Sequence, residues 1–256
     1  MWTRALLKSN AKTVLRRSYW RVFLACLIVS LLCGGIDLNL NFGADSAASP
    51  LPEQIAPFAG STGFPYSVLV QLLLPVILGI GIMALLLALA AALCWGILIT
   101  PVIQVGQARY LTENRTAPAH LDTLFSGFTS GYWNTVGVMF FMNLKVFLWC
   151  LLLIVPGIIK SYQYRFIPFL LAENPHMTAD RAFEISTMMT DGEKWNIFVL
   201  DLSFLGWRLL GLLLFGIGLI FVTPYVQTTE AELYAALRAK VIAGGYVSEE
   251  ELAGQS

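Results

Sequence analysis

Residues 155–175 read VPGIIKSYQYRFIPFLLAENP. Pro156 and Gly157 close an apolar run, and Lys160, Tyr162, Gln163, Tyr164 and Arg165 crowd in directly behind them. The proline has two counterparts. Residues 97–110 read ILITPVIQVGQARY and residues 221–234 read FVTPYVQTTEAELY. Polar residues stand three, six and eight positions after Pro101, as Gln104, Gln107 and Arg109, and at the same offsets after Pro224, as Gln227, Glu230 and Glu232. After Pro156 the set is shifted by one, as Lys160, Gln163 and Arg165. Three copies of apolar run, proline and polar-bearing helix predict a duplicated helical unit. Each proline marks a kink or turn inside a bilayer, where neighbouring groups satisfy the freed carbonyl.

The surrounding chain supports a membrane setting. Of 256 residues, 57% are hydrophobic and 12% charged, against about 25% charged in an ordinary soluble domain, which excludes a soluble enzyme. Residues 1–21 hold Arg4, Lys8, Lys12, Arg16, Arg17 and Arg21 and no acid, whereas residues 37–67 hold Asp37, Asp45 and Glu53 and no base. Cytoplasmic flanks are enriched in Lys and Arg, so the N-terminus is expected inside and the 37–67 loop outside. Arg4, Lys8, Lys12 and Arg16 recur at every fourth position, as a basic stripe against anionic lipid headgroups would require. Purely topogenic charges would give the same count.

A spanning helix needs about 20 mostly apolar residues. The expected spans are Tyr19–Ile36, a second from near Gly81 after a bent lead-in bearing Pro75, Asn134–Val155, Gly157–Ala172, Trp195–Leu210 and Gly211–Leu237. Whether residues 66–80 form a separate membrane element stays open. The organisation is then a basic amphipathic segment 1–18, one transmembrane domain 19–240 and a flexible cytoplasmic tail 241–256. TADRAFEIS, from Thr178, reads as a short capped helix along the membrane surface. The pairs Gly79/Gly81 and Gly216/Gly218 permit close helix approach or a bend.

Ionisable groups inside spans are costly and face the bundle interior or a wet cavity. The expected polar cluster is Arg109, Lys145, Lys160, Gln163, Arg165, Asp201, Arg208, Glu230 and Glu232. Lys145, in mid-span, needs a partner. Asp201 and Arg208 lie seven residues apart and border one cavity. Two readings follow. In one, Arg109, Lys160 and Arg165 meet Asp201, Glu230 and Glu232 in a central chamber able to hold a phosphate or carboxylate. In the other, the charges pair off and fix helix register.

Cys26, Cys33, Cys94 and Cys150 lie in apolar runs without metal-type spacing, and His120 and His176 sit alone in loops, so no metal or cofactor is expected. Walker A, HExxH, GxSxG and glycine-rich dinucleotide motifs are missing from the sequence, and no catalytic residues stand out. Nothing points to nucleic acid.

The strings LWCLLLIVPGIIKSYQYRFIPFLLAENP, MMTDGEKWNIFVLDLSFLGW and GIGLIFVTPYVQTTEAELYAAL, in that order, with LFSGF at Leu124–Phe128, resemble the bacterial membrane-protein family catalogued as domain of unknown function 975. More distantly, they are similar to the membrane-anchoring region attached to some glycerophosphodiester phosphodiesterases. No hydrolase domain accompanies that likeness here. The resemblance implies a multi-pass protein of the bacterial cytoplasmic membrane with no assigned reaction. Asp191-Gly192-Glu193-Lys194 departs from it, since the family tends to be more basic there.

The expectation is therefore an all-α bundle of about six spans with three proline-kinked units and both termini cytoplasmic. It is a non-enzymatic scaffold or accessory protein contacting lipids, a partner membrane protein or a second copy of itself. The alternative is a transporter or channel for a small anionic solute or lipid.

Overall fold

In the computed structural model, residues 2–33, 66–213 and 217–254 are described. All regular elements among them are helices: α1 (Arg4–Leu32), α2 (Tyr66–Leu98), α3 (Thr100–Thr116), a 3-10 helix (Leu121–Phe128), α4 (Tyr132–Leu152), α5 (Ile154–Tyr164), α6 (Ile167–Glu173), α7 (Ala179–Thr190), α8 (Lys194–Leu213), α9 (Ile217–Ala243) and α10 (Glu249–Leu252). Among the described residues, three stretches are long and apolar enough to cross a membrane: Leu73–Thr116, Tyr132–Leu152 and Lys194–Leu213. The chain divides into a smaller unit, Asn39–Trp95, and a larger one made of Met1–Leu38 and Gly96–Ser256. Within the smaller unit, α2 runs unbroken past Pro75 and Gly81. The expected start of a span near Gly81 is thus corrected: Pro75 and the glycines do not end the helix.

The larger unit contains the core. Its buried stripe on α1 (Leu7, Ala11, Val14, Leu15, Val22, Ala25, Cys26, Val29) follows the three-to-four spacing of one helix face. That face packs on α9 and α3. Ser18, with φ −140°, breaks the helical geometry, which places a bend where the basic segment gives way to the apolar one. Around it, Ser18 Oγ accepts from Asn114 Nδ2 at 2.9 Å, and the Arg17 guanidinium donates to the carbonyls of Asn114, Arg115 and Thr116. Arg17 thereby satisfies the open carbonyls ending α3, where a cation is favoured.

Close backbone approaches set the other crossings. The LFSGF string forms the end of the 3-10 helix, which packs on α3 with no room for a side chain at Gly106: a Cβ there would run into the Leu124 carbonyl. A Cβ at Gly127 would meet Val102 at 2.8 Å. Gly211 of α8 and Gly218 of α9 face each other with equal closeness, whereas a Cβ at Gly79 or Gly81 meets nothing within 4 Å. Gly216 lies outside the described residues.

Two expected spans are revised. Gly157–Ala172 is α5 and α6, separated at Arg165 and Phe166. Pro168 supplies the reason: it has no N–H for the Tyr164 carbonyl and disfavours helix in the residue before it. The expected boundary at Gly211 moves outward, because α8 continues to Leu213. Pro101 and Pro156 stand in the first turn of α3 and α5, where a missing N–H is no loss. Pro224 lies within continuous α9.

The other soluble-looking segments are also packed. α7 exists, but Ala182, Ile185, Ser186, Met189 and Thr190 are fully buried. It is a core helix rather than one lying on a surface, and Thr178 makes no side-chain cap. The tail, expected to be flexible, is docked as far as Gly254. Val247 and Leu252 are buried, and the Glu251 carbonyl accepts from Asn174 Nδ2 at 3.0 Å.

Candidate functional site

At the break between α5 and α6, the Arg165 side chain reaches two other helices. Its Nη1 and Nη2 bind both oxygens of Asp201 on α8, the second at 3.1 Å. Nε donates to Glu230 Oε1 on α9 at 2.6 Å. The Tyr162 hydroxyl donates to Asp201 Oδ2 at 3.0 Å. One guanidinium thus holds two carboxylates in the bidentate geometry that favours arginine over lysine. Less than a third of each of the three side chains is exposed, so water screens the set only in part.

The expected residues do not meet in one chamber. Glu232 turns away from Glu230 and pairs with Arg115 Nε at 2.9 Å, with Asn10 Nδ2 also donating to it at 3.4 Å. Residues two apart on a helix point to different sides, so this divergence is geometrical. Arg109 pairs with Glu113 in its own helix, both well exposed. Lys145 is exposed, and its ammonium sits 3.7 Å above the Phe183 ring centroid. Lys160 lies over Trp149 and Tyr164 at 5.6 and 5.7 Å. These are cation–π contacts, so the partner that Lys145 needs is aromatic. Arg208 is exposed and has no hydrogen bond or ion pair among the described residues. Gln163 is buried; its carbonyl accepts from Ser186 Oγ at 2.6 Å, while its side-chain Oε1 has no partner among the described residues.

Sequence reasoning missed the remaining ion pairs, which, apart from Arg181–Glu184 within α7, converge on α9 or on its C-terminal extension. Arg238 pairs with Glu173 at 2.9 Å and approaches Glu249 at 3.7 Å. Lys240 approaches Glu193 at 3.6 Å and donates to the Asp191 carbonyl at 2.9 Å. Arg181 of α7 binds Glu251 of α10 at 2.6 Å and Glu184 at 2.7 Å. The acidic Asp191–Lys194 turn therefore has a local purpose, as it receives Lys240. With Glu230, Glu232, Arg238 and Lys240, α9 is tied to α1, α3, α5, α6, α10 and the turn before α8.

A cavity of about 310 Å³ is lined by Arg109, Thr112, Glu113, Ala172, Glu173 and Ala253. Its two carboxylates outnumber its one guanidinium, and both carboxylates are already paired, so it offers no surplus positive charge to an anion. Among the described residues no group of three or more His, Cys, Asp and Glu is placed to hold a metal ion.

A family model described as "Protein of unknown function (DUF975)" matches residues 64–241. The match includes α2 to α8 and nearly all of α9. No curated protein and no solved structure matches the chain, so the likeness to phosphodiesterase membrane anchors rests on the sequence strings alone.

Proposed function

The chain belongs to the DUF975 family, and from that premise we propose that it is a non-enzymatic scaffold or accessory protein of the bacterial cytoplasmic membrane. The second half of α1, α2, α4, the broken pair α5–α6, α8 and α9 make six crossings. The basic N-terminus, the core end of α9 and the tail lie in the cytoplasm. There the protein contacts lipids and a partner membrane protein or second copy. One observation carries this reading: four charged residues of α9 are each satisfied by this chain's own side chains and carbonyls. Buried charges held in this way fix the register of the helices they join. Arg165, the centre of the expected anion site, is already occupied by two carboxylates.

The alternative, passage of a small anionic solute past Arg165, makes a different demand. Proteoliposomes carrying wild type and Arg165→Ala are compared for chloride and phosphate flux and for thermal unfolding. The scaffold reading expects a lower unfolding temperature and no protein-dependent flux from either. Wild-type flux that disappears in an Arg165→Ala protein of normal stability would replace it with transport.

A further inference from the structure

The cations of the chain are unevenly satisfied. Arg17, Arg109, Arg115, Arg165, Arg181, Arg238 and Lys240 all bind carboxylates or carbonyls, and Lys8 donates to Ser203 Oγ at 2.8 Å. Arg4, Lys12, Arg16 and Arg21 are exposed on α1, with no hydrogen bond or ion pair among the described residues. No acid lies in α1 to neutralise them.

Lys12 and Arg16 are followed along the same helix by a ladder of changing chemistry. Trp20 is 73% exposed and meets Phe23 edge-on at 5.8 Å, and Phe23 stacks on Phe221 of α9 at 5.3 Å. Beyond them a groove of about 150 Å³ opens between α1 and α9, lined by Cys26, Leu27, Ser30, Leu31, Ile220 and Thr223. Past the bend at Ser18, Trp20 and Leu27 are roughly 10 Å apart along the helix at a rise of about 1.5 Å per residue. Cations, then an amphipathic ring, then an apolar slot is the order of groups in a glycerophospholipid entering a leaflet: phosphate, interface, acyl chain.

The geometry points to a binding site for one anionic phospholipid, its phosphate on Lys12 and Arg16 and one acyl chain in the α1–α9 groove. This rests on the membrane reading above and names the lipid class it selects. Each basic residue at a membrane surface favours an anionic lipid about fivefold, so two together give a preference of roughly twentyfold or more.

Native mass spectrometry of detergent-purified full-length protein, offered equal dioleoyl-phosphatidylglycerol and dioleoyl-phosphatidylcholine, tests the site. Wild type is expected to retain one phosphatidylglycerol selectively. Lys12→Gln/Arg16→Gln should lose most of that preference, and Lys12→Arg/Arg16→Lys should keep it. Ser30→Phe, which fills the groove, should lower retention of both lipids. Equal retention of the two lipids by wild type, or a preference unchanged in Lys12→Gln/Arg16→Gln, overturns the site. Extraction of wild type from vesicles by alkaline carbonate is measured alongside. Protein that resists extraction but shows no lipid preference refutes this site alone, whereas protein that washes off refutes the membrane reading itself.

Discussion

The two halves of α4 are both apolar, but only the first has a buried face. Thr135, Val136, Val138 and Met139 are buried in protein, while Phe141, Phe147, Leu148, Leu151 and Leu152 are each more than half exposed. In α8, Ile197, Leu200 and Phe204 are inside, and Leu205, Leu209, Leu210 and Leu213 are outside together with Trp195 and Leu202 nearer its start. An exposed apolar surface of this extent marks a contact with lipid or another protein. The packed end is distinguished by its paired charges, since the ion pairs on α9 and α10 are all found there. Apolar content alone does not tell the two ends apart; the presence of satisfied polar partners does.

That contrast is broken most severely at Arg165. Arg165→Ala leaves Asp201 and Glu230 close together without their cation, and removing one partner of a partly buried set costs about 3–5 kcal/mol. Thermal unfolding in detergent should show a large fall in midpoint or no folded protein. Next comes Gly106→Val, which forces α3 away from the Leu124 backbone. Overpacking of this kind costs about 1–3 kcal/mol, and the midpoint should fall measurably. At the apolar end, Lys145→Met removes one ammonium from the Phe183 ring. The expected loss is about 0.5–1 kcal/mol at an exposed site, close to the smallest shift the same assay detects.

The smallest effect is a pH dependence of the tail. Arg181 beside Glu251 holds that carboxyl below its ordinary value of 4.5. A carboxylate lowered by folding adds stability above its unfolded value and loses it as pH falls through the folded one. The two side chains are 31% and 29% exposed, so water partly screens the pair and the contribution is about 1 kcal/mol or less. Amide-exchange protection of residues 246–254, taken relative to the intrinsic rate at each pH, should be high at pH 7 and fall as pH drops below the ordinary glutamate value. Glu251→Gln should show the lower protection throughout.

The sequence could show how many polar groups needed partners but not the direction in which each would point. Arg165, Asp201 and Glu230 were found because ionisable residues in apolar runs are conspicuous. Glu232 was found but misassigned, although its two-residue separation from Glu230 already placed it on another face. Arg115 was overlooked because it lies in the polar string TENRTAPAH, which reads as loop although its first five residues, Thr112–Thr116, close α3. Ser18 gave no warning, since its partner Asn114 is far away in sequence. The docked tail was unreadable for a related reason: SEEEL carries a single apolar residue, Leu252, which is buried, and the groups that hold the segment, Asn174 and Arg181, come from other elements. Pro168, the residue that breaks α5 from α6, stands inside the run Gly157–Ala172, which is close in length to a single span.

The central claim is that the charges around Arg165 are there to hold one another. The measurement that tests it most directly compares the unfolding midpoints of wild type, Arg165→Ala and Arg165→Met/Asp201→Asn/Glu230→Gln in the same detergent. If the set is an internal lock, the single substitution is strongly destabilising and the charge-free triple variant recovers most of the lost stability, because no carboxylate is left uncompensated. A single variant as stable as wild type, or a triple variant no better than the single, would contradict the account.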